Sequence, residues 1–357
     1  MRRRHLTTIL VLLITHTSSA NAVPRTADRQ AVDGQRNSIN KVVVIGKDTR
    51  RRVPKRLRSA TRGVGQLYDS SIRGRCTAFC VAKNAVITNS HCIAWRVKGR
   101  RRLKRNMRHM SFRLGRKSTR LKWQNIKPIG NPYLSTLSNW PGKTPIDNSS
   151  GDWTVARLAK PICAGKALKL ANNDLVKAIA EAGSLKVAMI GFHRDRSKRR
   201  LSYTSCYITN MMRNLGNGIA VHSCDSKQMS SGSPIVLESS FGLDVLAINT
   251  GWITFKSRQS FQFGDRKSKR LRRVNVAALP FELNWKLAAF LDLEFVDART
   301  TTREIKALLK AKYYFRGKVN ARVSPGLTAA IKHYQYDRND VPLGLPSKQL
   351  LRQLKGP

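Results

Sequence analysis

The stretch Cys224-Asp225-Ser226-Lys227-Gln228-Met229-Ser230-Ser231-Gly232-Ser233-Pro234-Ile235-Val236 decides how the chain is read. A serine set among small residues, then a proline and an apolar run, presents a hydroxyl on a tight turn just before a buried strand. A serine hydroxyl is a poor nucleophile unless an imidazole takes its proton and backbone donors hold the oxyanion that forms. The rest of the chain is therefore read for those partners.

The chain has 357 residues, 41% of them hydrophobic, enough for a packed core, and its length suggests one large domain with a smaller one. It opens Met1-Arg2-Arg3-Arg4-His5, runs through an apolar segment from Leu6 to Ile14, and reaches Ser18-Ser19-Ala20-Asn21-Ala22. A basic start, a short apolar run and a small-x-small end form the pattern of a secretory signal peptide over residues 1–22. The apolar run is far below the roughly 20 residues that span a bilayer. A secreted or periplasmic product is expected, with no transmembrane segment. Six cysteines in an exported chain read as disulfides, whose pairing composition cannot decide.

The formal net charge is +48. Such a molecule is drawn to polyanions of any kind. The densest basic block runs from Arg96 to Lys122, with further runs at Lys198-Arg199-Arg200 and from Arg266 to Arg273. Aromatic residues are not interleaved there as a stacking platform for bases requires, so these runs read as solvated loops and no dedicated nucleic-acid site is expected. Anionic envelope polymers remain as candidate partners. No metal or other cofactor is implied.

Residues 23–40 are polar and aperiodic and read as a flexible arm. Short β-rich runs follow at Lys41 to Gly46, Cys76 to Val81, Ala85 to Thr88, Thr154 to Leu158, Leu185 to Ile190, Thr204 to Thr209, Ile235 to Leu237 and Val245 to Thr250. Many short strands with Gly, Asn and Ser between them predict an all-β domain, an antiparallel sandwich or barrel, over residues 41–296. Phe281 to Phe290 has helical character and closes it. From residue 298 to 357 the period changes: Ile305, Leu308 and Leu309, then Ala330, Ile331 and Tyr334, recur at helical spacing, and Ser347 to Leu354 adds a third amphipathic stretch. These predict a small all-α module whose core is Ile305, Leu308, Leu309, Ile331 and Tyr334.

The imidazole partner is His91, in Val86-Ile87-Thr88-Asn89-Ser90-His91-Cys92, at the end of a β run and beside a cysteine. Here the segment from Cys76 to Cys92 resembles the histidine box of trypsin-like (chymotrypsin-fold) serine proteases. In that family the cysteine after the histidine bonds to one sixteen positions earlier, which implies Cys76–Cys92. Ser150-Gly151-Asp152-Trp153-Thr154-Val155-Ala156-Arg157-Leu158 resembles the family's aspartate strand and points to Asp152. The order His91, Asp152, Ser231 is that of the family and differs from subtilisins and α/β-hydrolases. The resemblance implies two antiparallel six-stranded β-barrels, Ser231 as nucleophile, His91 as general base and Asp152 as the residue that orients it. It implies an oxyanion hole from the backbone N–H groups of Met229 and Ser231. Val44-Ile45-Gly46-Lys47-Asp48-Thr49-Arg50-Arg51 and His222-Ser223-Cys224-Asp225 resemble bacterial glutamyl-endopeptidase-like members, and the likeness spans about residues 41–280. The remaining cysteines are proposed to pair as Cys80–Cys163 and Cys206–Cys224.

The same likeness sets out a specificity pocket of Asp225, Ser226, Asn249, Thr250, Gly251 and Trp252. Asp225 stands where trypsin-like enzymes carry a pocket-floor aspartate, which reads either as a basic-residue selector or as a structural carboxylate. Asn249 occupies the position of the substrate-reading histidine of glutamyl endopeptidases, against glutamate specificity. Trp252 replaces a glycine at the pocket mouth, Met229 a glycine of the oxyanion hole, and Ser230 the aspartate of the trypsin activation switch.

At the other end, Tyr313-Tyr314, Arg316-Gly317, Val319-Asn320, Ser324-Pro325-Gly326-Leu327-Thr328-Ala329-Ala330-Ile331 and Tyr334-Gln335 resemble peptidoglycan-binding-like domains. Cell-wall attachment is what that likeness implies. The whole reads as a secreted serine endopeptidase acting on protein or peptide substrates through an acyl-enzyme, with a small envelope-binding module. The alternatives are a catalytically weak or inactive binding protein on a protease scaffold, and a cell-wall amidase or polyanion binder.

Overall fold

The computed structural model of the chain describes residues 44–70, 74–96, 103–105, 109–121, 151–172, 174, 183–196, 200–209, 218–239, 242–264, 269–279, 283–294 and 298–356. The expected signal peptide, the arm, the linker around Val296 and much of the basic runs lie outside these residues.

Ala85-Val86-Ile87-Thr88 is buried along its whole length, because successive side chains of a strand point to opposite faces and here both faces are covered. Val86 joins Leu67, Ala78, Phe112 and Ala156 inside a first barrel, whereas Ile87 joins Phe79 and Val155 in a layer shared with a second. Strand β1 (Arg51–Arg52) precedes β2 (Val64–Asp69), β3 (Gly74–Ala82) and β4 (Ala85–Thr88); β5 (Ala94–Arg96) and β6 (Leu103–Arg105) form a side hairpin; β7 (Met110–Leu114), β8 (Lys117–Arg120) and β9 (Thr154–Arg157) follow. The first sheet runs β8-β7-β2-β3-β4-β9, and an antiparallel bridge from Leu121 to Leu158 joins its two ends.

The second sheet contains β10 (Lys169–Leu170), β11 (Ser184–Gly191), β12 (Ser202–Thr209), β13 (Ile219–His222), β14 (Pro234–Ser239), β15 (Gly242–Phe261) and β16 (Lys269–Ala278). Its path β12-β11-β14-β15-β16-β13 returns to β12 through the β12–β13 pairing, so six antiparallel strands close on themselves. Val187, Met189, Cys206, Ile235 and Leu246 fill this barrel, while their neighbours Ala188, Ile190, Val236 and Val245 turn to the shared layer. The architecture is the chymotrypsin-like double barrel. Strands β15 and β16 run on past the barrel as a long hairpin, packed by Ile253, Phe255, Phe261, Phe263 and Val274.

Two differences from the sequence reading have clear causes. The basic block around residues 110–120 is not simply loop: Met110, Phe112 and Leu114 point inward from β7 with Arg113 outward, a period of two masked by charge. Conversely, residues 44–46 are in no strand; the Ile45 N–H donates to the Asp225 carboxylate at 3.3 Å and its side chain packs against the hairpin cluster.

Three disulfides join Cys76 to Cys92, Cys80 to Cys163 and Cys206 to Cys224, and no cysteine is free. Such bonds belong to oxidising compartments. Among the described residues, no helix is long and apolar enough to cross a membrane.

Helix α1 (Leu283–Asp292) lays Leu283 and Phe290 on the layer shared by the barrels. Arg157 of β9 donates to the carbonyls of Phe290, Leu291 and Leu293 at 2.6–3.1 Å and lies over the Phe290 ring. A cation thus satisfies the open carbonyls at the helix end, where the macrodipole favours positive charge. Helices α2 (Ala298–Ala311), α3 (Pro325–Asp337) and α4 (Lys348–Lys355) enclose Ile305, Leu309, Phe315, Leu327, Ile331, Tyr334 and Leu350. Ser324 and Ser347 cap α3 and α4 by accepting from the N–H groups of Leu327 and Leu350. Leu308, expected in this core, is only partly buried at its edge. Leu343 and Leu345 leave the module to join the shared layer, and the Lys348 N–H donates to the Glu294 carbonyl, so the module is seated on the β-domain.

Candidate active site

The turn that carries Ser231 is shaped by its short side chains. The N–H of Ser230 donates to the carbonyl of Lys227, and that of Ser233 to Ser230, which folds residues 227–233 into consecutive tight turns. Gly232 has φ +82°, and a Cβ there would lie 2.1 Å from the Thr77 carbonyl oxygen, so only glycine fits. Met229 has φ +80°, the left-handed region that glycine enters freely and L side chains enter at a cost. The chain therefore holds methionine in the backbone conformation glycine would take. Among the described residues, neither the Met229 nor the Ser231 N–H has a protein acceptor, while the Ser230 N–H between them is engaged.

Thr77 of β3 holds this turn from the first barrel. Its N–H donates to the Ser231 carbonyl at 2.8 Å, its hydroxyl donates to the Met229 carbonyl at 2.9 Å, and that hydroxyl accepts from the Phe192 N–H at 3.0 Å. Nothing in the sequence singles out Thr77 beyond its place next to Cys76. The Met229–Ser230 peptide is thus held by a residue 152 positions away.

His91 sits on the 3-10 turn Ser90–Cys92 that ends β4, anchored on both sides. Asn89 donates to the Asp152 carbonyl at 2.5 Å, Ser90 donates to the Trp153 carbonyl at 2.7 Å, and Cys92 is bonded to Cys76. The His91 N–H donates to Asp152 Oδ1 at 3.0 Å, and Nδ1 of the ring lies 2.6 Å from Oδ2. The Asp152 side chain is 7% exposed and that of His91 32%. Burial alone would lower the imidazole pKa, but the Asp152 charge and hydrogen bond outweigh it and raise the value above the ordinary 6.5. Among the described residues no hydrogen bond joins the His91 ring to Ser231. Such contacts commonly tighten only when substrate is bound. A carboxylate that orients an imidazole through Nδ1 leaves Nε2 free to accept a hydroxyl proton, and two unengaged N–H groups beside that hydroxyl suit an oxyanion.

The residues expected to form the pocket divide. Asp225, 2% exposed, accepts from the Ile45 N–H, the Thr49 N–H and the Thr49 hydroxyl, the last two at 2.7 Å. Its carboxylate is spent on residues 45–49, which favours the structural reading over a basic-residue selector. Ser226, Ser230 and Asn249 form one buried network: the two hydroxyls are 2.7 Å apart, and Asn249 donates to the Ser230 carbonyl at 2.9 Å. Oδ1 of Asn249 faces Nε2 of His222 at 3.1 Å, and burial lowers the His222 pKa to about 4, so this ring is neutral. Thr250 bonds back to the Ile248 carbonyl and accepts from the Ala278 N–H, and the register shifts between Asn249 and Gly251. Trp252 is half-buried with the Arg273 guanidinium 4.9 Å over its ring.

An ion cluster adjoins the turn through Lys227. Arg50, its side chain 1% exposed, binds Asp48 and Asp195 through paired hydrogen bonds of 2.6–2.9 Å, and Lys227 reaches Asp195 at 3.0 Å. Hydrogen bonds from Arg50 hold both carboxyls well below the usual range, against the cost of burial. The cluster ties residues 48–50 to Lys227, two positions before Met229. His91, Cys76 and Cys92 approach one another closely, but the two sulfurs are joined to each other, so they do not constitute a metal centre.

No protein-family profile matches the chain. No curated protein matches it either. Among solved structures, one described as "Structure of Glu endopeptidase in complex with MPD" is similar to it, with 14% identity and a TM-score of 0.46 over 70% of this chain and 99% of that one.

Proposed function

We propose that this chain is a serine endopeptidase. Ser231 Oγ attacks the carbonyl of a peptide bond while His91 Nε2 takes its proton. The oxyanion is held by the Met229 and Ser231 N–H groups, and His91 then returns the proton to the leaving amine. Water, activated by the same ring, hydrolyses the acyl-enzyme. Asp152 keeps the imidazole in the tautomer with Nδ1–H and stabilises its charged form. The observation that carries this reading is the 2.6 Å contact between Asp152 and His91 Nδ1, beside a serine turn whose alternate N–H groups are unengaged.

The test is labelling of the mature protein with a fluorophosphonate probe, together with hydrolysis of a casein-type substrate. Both are expected from the parent and absent from Ser231→Ala. A parent that behaves like Ser231→Ala would establish the rival, a binding protein on a protease scaffold, for which Trp252 and the strained Met229 speak.

The same proposal includes export, with residues 1–22 removed, which N-terminal sequencing of secreted material checks. It also includes envelope attachment through the helical module. Support for the latter is a cavity of about 620 Å³ bordered by Tyr313, Phe315, Asn320 and His333, with Tyr313 92% exposed at its rim. Asn320, where the resembled domains carry aspartate, accepts from the buried Lys306 ammonium at 2.7 Å and from the Arg322 N–H, so it shapes the cavity wall. Tyr313→Ala, which removes an exposed side chain, is expected to weaken pull-down on peptidoglycan sacculi; unchanged pull-down would remove the module from the reading.

A further inference from the structure

A second concave surface of about 1000 Å³, bordered by neither His91 nor Ser231, opens where β1, β2 and the β7–β8 hairpin meet the approach to β12. Six arginines line it: Arg52, Arg58, Arg62, Arg113, Arg116 and Arg200, with Lys166 as a seventh cation. They converge from separate segments: β1, the 3-10 turns after it, the β7–β8 hairpin, the loop before β10 and the approach to β12. Among the described residues, no acidic side chain borders this cleft, and none of the six arginines has a carboxylate partner. This is not mere scarcity of acid, because Arg50 a few residues away holds two carboxylates and Arg56 pairs with Glu238 at 2.6 Å. The floor is apolar, with Val53, Val64, Leu114 and Phe192 all buried. Like charges gathered over a low-dielectric floor repel one another and concentrate an attractive field for anions.

We propose that this cleft binds a linear polymer of the polyphosphate type, carrying phosphates but no nucleobases, laid along it with the arginine forks on successive phosphates. Guanidinium groups pair with phosphate bidentately, and six of the seven cations are arginine. The volume is that of a chain segment, not of one small ion. A phosphate chain carries charge along its backbone, whereas an extended acidic peptide turns alternate side chains away from the surface. Bases would lack a stacking partner, because the cleft's one aromatic side chain, Phe192, is only 8% exposed.

General attraction by a +48 chain has to be separated from this site. The test is titration of the full mature protein with short-chain inorganic polyphosphate at several salt concentrations. Two triple reversals of equal charge change are compared: Arg58→Glu/Arg113→Glu/Arg200→Glu in the cleft, and Lys256→Glu/Arg258→Glu/Arg270→Glu on the distal hairpin, all six exposed. The cleft triple is expected to lose at least tenfold in affinity and to flatten the dependence of log K on log salt. The hairpin triple is expected to lose less than threefold. Equal losses from the two would overturn the site. A tighter, equally cleft-dependent interaction with poly-glutamate or with single-stranded DNA would overturn the ligand class. Retained thermal melting and probe labelling show that the variants are folded.

Discussion

Replacing Met229 by glycine asks whether the oxyanion hole is already formed. Met229 has φ +80°, a conformation costing an L residue about 1–2 kcal/mol and glycine almost nothing. Glycine loses more backbone entropy on folding, about 0.5–1 kcal/mol, so the expected net gain in stability is about 1 kcal/mol, or roughly 2–3 °C in Tm for a domain of this size. Activity should behave differently. The Met229 N–H shares its peptide with the Gln228 carbonyl, which already accepts from the Arg194 N–H at 2.9 Å, while Thr77 Oγ1 holds the next carbonyl, that of Met229, so the unengaged Met229 N–H is fixed from both sides. Met229→Gly should therefore change kcat less than about threefold. Its companion Met229→Val, β-branched and less tolerant of positive φ, should lower both Tm and kcat. Probe-labelling rates, casein hydrolysis and thermal melts on the three proteins suffice. A hundredfold rise in kcat for Met229→Gly, the scale of one recovered oxyanion donor, would refute the reasoning, since it would mean that methionine keeps the hole from forming.

Raised above 6.5, the His91 pKa makes the neutral base available only at higher pH, so the rate should climb through a midpoint above that value; Asp152→Asn should lower kcat by about 10⁴ and move the midpoint down. Asp48 and Asp195 have depressed folded pKa values, so their stabilising effect is present above the unfolded carboxylate pKa and is lost as pH falls through the folded values. The double change Asp48→Asn/Asp195→Asn should flatten that acid limb and cost about 3 kcal/mol at neutral pH, because Arg50 stays buried without its counter-charges; urea unfolding at several pH values reads both effects. Loop-closure entropy ranks the disulfides: with sequence separations of 83 and 16, loss of Cys80–Cys163 should cost about 4–5 kcal/mol and loss of Cys76–Cys92 about 3, a difference visible in melts of the paired Cys→Ala variants.

Strands buried on both faces were legible where their apolar runs are continuous, as in Ala85 to Thr88 and Val187 to Ile190. A strand with one face outward was hidden where that face carries arginine, as in Met110 to Leu114. Helices α2, α3 and α4 were visible because a period near 3.6 survives in a charged sequence as long as the inward positions stay apolar. The proposed triad positions could be named from short motifs, but the surroundings could not. Thr77 carries no local pattern and acts on Met229, Ser231 and Phe192 more than a hundred positions away, and Arg50, though inside a quoted motif, gains its role only by reaching Asp195. The cleft of arginines is the extreme case: five segments supply it, and along the chain each reads only as one more basic stretch.

Sequence alone determined the residue types available for chemistry, their order and the alternation that forces an all-β core, because these depend on local periodicity and on which side chains hold protons or nucleophilic oxygen. Tertiary structure decided what those residues are free to do. Asp225 looked equally suited to reading a substrate or to holding the chain, and its bonds to Ile45 and Thr49 favour the second. Met229 looked like a defect, yet its backbone takes the glycine conformation while a hydroxyl from the other barrel holds its carbonyl. In both cases the outcome depends on partners more than 150 positions distant, whose approach is set by packing of the whole fold.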